Sequence, residues 1–173
     1  MNDRFAHRLR LDQIRDGERL DLVADDAERT EIAKRLGLLS LDRVEAHATL
    51  GRTGAIVRAE GRLVAILDQS CVVTGDPVAA HVDEPFAILF MPEPPPGAAD
   101  EEIELGESDC DVVFYDGAMI DLGTAIADTL ALSIDPYPRS ASAQAALKEA
   151  GVLTEEQASP FAVLAKLKKN DQA

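Results

Sequence analysis

Few side chains in this chain could bind a metal or attack a substrate, and Cys71 leads them. It stands in "QSCVVTGDPV" (69–78), three residues before Thr74 and the turn Gly75-Asp76-Pro77. Structural zinc takes four nitrogen or sulfur ligands in a tetrahedron, usually with a close C-x2-4-C pair. At Cys71 the partner position is Thr74, and nothing in the spacing of His47, His81 and Cys110 demands that they complete a set. A cysteine nucleophile needs a base. The histidine nearest in sequence is His81, and no oxyanion-hole motif accompanies it. Val72, Val73 and the acids around them are expected to raise the thiol pKa and dull its reactivity. The residues themselves therefore make Cys71 a small buried core side chain, with no catalytic, cofactor-binding or metal residue assigned.

Carboxylates are plentiful, but Glu101, Glu102, Asp109 and Asp111 lie in or beside a proline-rich stretch. General acid–base chemistry needs rigidly held groups in a dry pocket. No D-x-[DN]-x-[DN]-G run occurs for calcium, and neither glycine-rich phosphate loop is found. An enzyme is not expected. Phosphate contacts have two candidate surfaces: Arg4, Arg8 and Arg10 share one strand face, and Lys166, Lys168 and Lys169 form a basic end. The ordinary alternatives are a solvated strand face paired with carboxylates, and lysines that complement a helix C-terminus.

Charge is partitioned. The net charge is -15, with Lys+Arg 17 and Asp+Glu 32, yet no lysine or arginine falls between Arg62 and Arg139. A field of that sign repels phosphate and attracts basic partners; solubility alone also accounts for it. Length, 173 residues, suits one domain with a real core, and the 4% aromatic content places that core on Leu, Val, Ile and Ala. Base stacking on single strands is correspondingly disfavoured. No apolar run approaches the roughly 20 residues of a membrane helix. The opening "MNDRFAHRLRLDQIRDGERL" lacks an apolar centre and carries Asp3, Asp12, Asp16 and Glu18, unlike a secretory or transit peptide. Two cysteines make no disulfide framework, so the cytoplasm is the expected home.

The elements that must position these residues read as follows. Period-two alternation over 4–11 predicts a strand, and the Asp16-Gly17 turn predicts a hairpin with 18–25. Asp25 or Asp26 caps a helix that ends at Gly37. Residues 40–52 alternate again, and from Ala55 to Phe90 Val/Ile-rich runs predict an antiparallel meander. "MPEPPPGAADEEIELGESD" (91–109) reads as a loop, "CDVVFYDG" as a strand, and Asp121 as the cap of a helix stopped by Pro136 and Pro138. A weak helix ends at Gly151, and Ser159-Pro160 opens another. The fold class is α+β: a mainly antiparallel sheet or partial β-barrel with two to three packed helices. A single domain is expected over 1–139, with a tail carrying a short helix over 140–173.

Together "QSCVVTGDPV", "AIADTLALSIDPYPR" and "SPFAVLAKLKK", in that order, resemble the YceD family, named for accumulation of large-subunit ribosomal RNA, in its alphaproteobacterial branch. The family's usual C-x-x-C pair reads C-V-V-T here, so Cys71 matches the first cysteine and Thr74 replaces the second, which removes the basis for a zinc or redox role. The resemblance implies a non-enzymatic accessory factor in large ribosomal subunit biogenesis. Its partners would be a large-subunit rRNA precursor, through Arg4, Arg8 and Arg10, or a basic ribosomal or biogenesis protein. Within "DPYPR", Asp135, Tyr137 and Arg139 form a candidate docking segment, Tyr and Arg being favoured at hot spots; a rigid helix exit with Tyr137 folded onto the core is the competing expectation. The alternative function is an acidic protein–protein adaptor without a ribosomal role.

Overall fold

Strict alternation over three long segments dictates the architecture. A computed structural model of the chain describes residues 7–94 and 111–152. Strands β3 (Ser40–Thr53), β4 (Ile56–Ser70) and β5 (Pro77–Pro92) are its longest elements. Along them Val44, Ala46, Ala48, Leu50, Val57, Ala59, Leu63, Ala65, Leu67, Phe86, Ile88 and Phe90 are buried while their neighbours point outward. Side chains on a strand alternate between faces, so one face of the sheet is the core and the other meets solvent. With β2 (Glu18–Val23) and β6 (Asp111–Tyr115) they form an open five-stranded sheet in the order β2-β3-β4-β5-β6. It does not close into a barrel among the described residues. β2–β3 and β3–β4 pair antiparallel and β6 runs parallel to β5, so the sheet is mainly antiparallel, as expected. The residues from 95 to 110, most of the expected loop, lie outside those described.

Two helices cover the buried face. α1 (Asp26–Leu36) begins at a reciprocal cap: the Asp25 carboxylate accepts from Glu28 N–H at 2.9 Å, and the Asp25 N–H donates to the Glu28 carboxylate at 3.0 Å. It ends at Gly37 in the left-handed conformation, φ 66°. α2 (Leu122–Ser133) is capped by Asp121, whose carboxylate accepts from Thr124 N–H at 2.9 Å. Its apolar stripe, Leu122, Ile126 and Leu130, is fully buried in the same core as the inner sheet residues and Ile32 of α1. Each such side chain contributes roughly 1.5–3 kcal/mol of burial free energy.

The expected N-terminal hairpin is not formed. β1 is short, Arg8–Arg10, and pairs antiparallel with β7 (Met119–Asp121), while β2 pairs with β3 instead. A 3-10 turn at Leu11–Gln13 separates β1 from β2 and directs them to different partners.

By contact density the residues fall into two units. One holds residues to Gln69 and from Ala79 to Pro136, the sheet and α1–α2 body described above; the other holds Ser70–Val78 and the chain from Tyr137 onward, including the short helix α3 (Ala143–Glu149). Gly151, after α3, has φ 75°, as its expected role at a helix end requires. The expected helix opened by Ser159-Pro160 lies outside the described residues.

Gly61, in the middle of β4, marks a close backbone approach in the sheet. A Cβ there would stand 1.8 Å from the His47 carbonyl oxygen and 2.9 Å from Phe86 Cζ. The phenyl ring on β5 occupies the space a side chain would need. Gly61→Ala is therefore expected to destabilise the protein by about 3 kcal/mol, as overpacking against backbone does. Urea unfolding with a lower midpoint and unchanged slope is the expected outcome; a midpoint equal to that of the parent protein would contradict it.

Candidate functional site: a thiol in a hydroxyl-rich turn

The turn after β4 is built by two backbone bonds and one glycine. Cys71 N–H donates to the Asp76 carbonyl at 2.8 Å, and Gly75 N–H donates to the Cys71 carbonyl at 2.9 Å. Gly75 sits at φ 77°, a conformation that favours glycine. This closure brings Thr74 N–H back to 3.5 Å from Cys71 Sγ. A second segment is tied alongside when Val72 N–H donates to the Pro138 carbonyl at 2.9 Å. Ser140 then directs both its N–H (3.3 Å) and its hydroxyl (3.4 Å) at the same sulfur.

Asp76 organises the remaining hydroxyls. Its carboxylate accepts from Thr74 Oγ1 at 2.8 Å and from Ser142 Oγ at 2.7 Å. Ser140 Oγ lies 3.1 Å from Thr74 Oγ1 and 2.9 Å from Ser142 Oγ. Each hydroxyl carries one proton. Ser140 Oγ also lies 3.5 Å from the Asp76 carboxylate, so its single proton is shared between that acid and Cys71 Sγ. These donors, Ser142 first and Thr74 next, hold the Asp76 carboxyl below its usual range.

Cys71 is buried, with 3% of its surface exposed, yet it is absent from the apolar core cluster. Burial alone pushes its pKa up, but donors from Ser140 and Thr74 more than offset this and bring it down to about 6. That reverses the expectation of a raised pKa, because the surroundings are amide and hydroxyl donors and not the side chains of Val72 and Val73. Hydrogen bonds to the charged form favour it. At neutral pH the sulfur is a thiolate held without a cationic partner among the described residues.

The other singled-out residues are dispersed. His47 Nδ1 is 2.6 Å from the Asp21 carboxylate on the exposed sheet face, and His81 is exposed on β5. Cys110 and Arg4 lie outside the described residues. Arg8 is 3.5 Å from Asp121 across the β1–β7 pair, and Arg10 donates two bonds to Asp12 at 3.0 and 2.8 Å. Lys166, Lys168 and Lys169 also fall beyond the described residues.

In "DPYPR" the Asp135 carbonyl accepts from the buried Gln69 amide at 2.7 Å, and the Pro138 carbonyl serves Val72. Tyr137 is 72% exposed, and Arg139 is exposed as well. Sequence reasoning missed Asp76, Ser140 and Ser142. The two serines follow "DPYPR" directly, but their partners lie more than 60 positions earlier.

As a zinc site the cluster does not fit. It offers one sulfur and one carboxylate among neutral hydroxyls whose protons already serve Cys71 and Asp76, whereas structural zinc wants four nitrogen or sulfur ligands. The arrangement instead stabilises an anion inside a turn and pins two distant stretches of chain together.

Comparison with known proteins gives one match. The family model described as "Large ribosomal RNA subunit accumulation protein YceD" matches residues 59–168, which include the cysteine turn and the serine segment. No curated protein and no solved structure matches the chain.

The thiolate makes a pH-dependent contribution to stability. Its folded pKa, about 6, lies below the ordinary thiol value of 9.0, so stability is gained above the ordinary value and lost as pH falls through 6. Titrating thiolate ultraviolet absorbance, with Cys71→Ser as the blank for Cys110, should give a midpoint near 6. In Ser140→Ala the midpoint should move up. A midpoint unchanged by Ser140→Ala would contradict the assigned donors.

Proposed function

Since the chain belongs to the YceD family, we propose that it is a non-enzymatic accessory factor for accumulation of the large ribosomal subunit RNA, acting in the cytoplasm through macromolecular contacts. The match over residues 59–168 carries this reading. The family's name ties its members to large ribosomal RNA subunit accumulation, and how this chain takes part is the proposal.

Electrostatics favour a basic protein as the contact over RNA phosphate. Arg8, Arg10, Arg43, Arg58 and Arg62 each have a carboxylate within salt-bridge distance. Arg10 is held to Asp12 by two hydrogen bonds that lower the Asp12 pKa. Phosphate would have to displace these acids to bind. Between Arg62 and Arg139 the chain has no lysine or arginine, so the potential there is negative and suits a basic surface. The absence of enzymatic activity is supported by the partners of Cys71, which are hydrogen-bond donors, Thr74 and Ser140, and not an imidazole base.

Deleting the gene should lower mature large-subunit RNA relative to small-subunit RNA, and the intact gene should restore the ratio. Quantifying both RNAs during exponential growth and after a shift to low temperature checks this. A ratio equal to that of the parent strain in every condition would overturn the ribosomal reading and leave an acidic adaptor without a ribosomal role.

A further inference from the structure

One corner of the outer sheet face lacks the charge pairing found elsewhere on it. On β3, β4 and β5 the outward positions carry ion pairs: Arg43 with Glu45, Arg58 with Glu60 and Arg62 with Asp83. Where β5 meets β6 the outward positions are apolar. The register places Leu89 beside Val112 and Met91 beside Phe114. Their alternates, Ile88, Phe90 and Tyr115, are buried, and Val113 packs against the core from the inner side. Leu89, Met91 and Val112 are only partly buried and do not pack against that core, and Phe114 is 51% exposed. Tyr115 Oη donates to the Ala55 carbonyl at 2.5 Å, which fixes the start of β4, with the exposed Ile56, at the same end of the sheet.

Acids rim this corner. Glu93 and Asp116, at the ends of β5 and β6, are both exposed. β6 is also an edge strand of the sheet among the described residues. Edge strands offer backbone donors and acceptors to an added strand, and apolar side chains on alternate positions supply selectivity. An apolar strip bordered by carboxylates matches a segment that is itself apolar and basic by turns. RNA, with its phosphates, meets the wrong sign of charge here.

We infer that the outer face of β5–β6, centred on Met91, Val112 and Phe114, docks an extended segment of a partner protein in which apolar and Lys/Arg residues alternate. This deepens the ribosome-biogenesis reading, because it says where a basic protein would be held and by which contacts.

Two measurements on the full chain test it. In the first, the probe is a synthetic ten-residue peptide of alternating lysine and leucine, with oligolysine as the charge-only control and single-stranded RNA as the alternative ligand. The alternating peptide is expected to bind at least tenfold more tightly than oligolysine. It should perturb the methyl resonances of Leu89, Met91 and Val112, and Phe114→Ser should remove most of that preference while far-ultraviolet circular dichroism stays unchanged. Equal affinity for the two peptides, perturbation elsewhere, or preferential binding of RNA at this face would overturn the inference.

In the second, the gene-deletion strain is complemented with Phe114→Ser or the milder Phe114→Leu. If the parent gene restores the RNA ratio and Phe114→Ser restores it equally, the docking surface is wrong and the ribosomal role stands. Partial rescue by Phe114→Leu with none by Phe114→Ser supports the surface. Failure of the parent gene to change the ratio sinks the ribosomal reading on which the inference rests.

Discussion

Everything in the body of this protein depends on the register of β3, β4 and β5. A slip of one residue would turn Val44, Leu50, Leu63 and Leu67 to solvent and bury Arg43, Arg58 and Arg62. Burial of the first set against α1 and α2 therefore specifies the pairing. Gly61 reinforces it, since the space over this position is taken by Phe86 and by the His47 carbonyl. The same constraint leaves the opposite face to satisfy water, which it does with ion pairs within a strand (Arg43–Glu45, Arg58–Glu60) and between strands (Arg62–Asp83) until the apolar corner at β5–β6. Exposed pairs of this kind add little to stability, typically less than about 1 kcal/mol each, so their role is to keep the face soluble and its charge balanced. Where the pairing stops, the face changes character.

The turn after β4 solves a different problem. The chain surrounds the Cys71 sulfur with an amide from Thr74 and two donors from Ser140. Hydrogen bonds to the sulfur join residues 71–76 to residues 138–142. Asp76 does the same with Ser142 and Thr74. Both anions rest on neutral donors, which is economical in a chain of net charge -15 and Lys+Arg 17.

Much of the fold was legible because it is written in short-range chemistry. Alternation located β3, Val/Ile-rich runs located β4 and β5, and side-chain caps located α1 and α2 at Asp25 and Asp121. The failures came where pairing is long-range. Residues 8–10 have strand character, but nothing local says that their partner is Met119–Asp121 and not the strand beyond the Asp16-Gly17 turn. Nothing local says that residues 111–115 lie parallel to β5, since the proline-rich sequence between the two strands carries no periodicity. The site was half legible: the cysteine and its missing partner stand out, while Ser140 and Ser142 look like ordinary polar residues. Their meaning comes from a backbone bond between Val72 and Pro138. The raised thiol pKa expected from neighbouring valines failed for the same reason, since neighbours in sequence are not the neighbours in space.

The proposed role has the chain bound within the large-subunit assembly path. Sedimenting a lysate from cells that express the epitope-tagged chain at its native level, at low salt, is the most direct test. A tagged fraction should travel with large-subunit precursor particles and be released as salt rises. Tagged protein confined to the top of the gradient in every growth condition, with particle profiles normal, would contradict it.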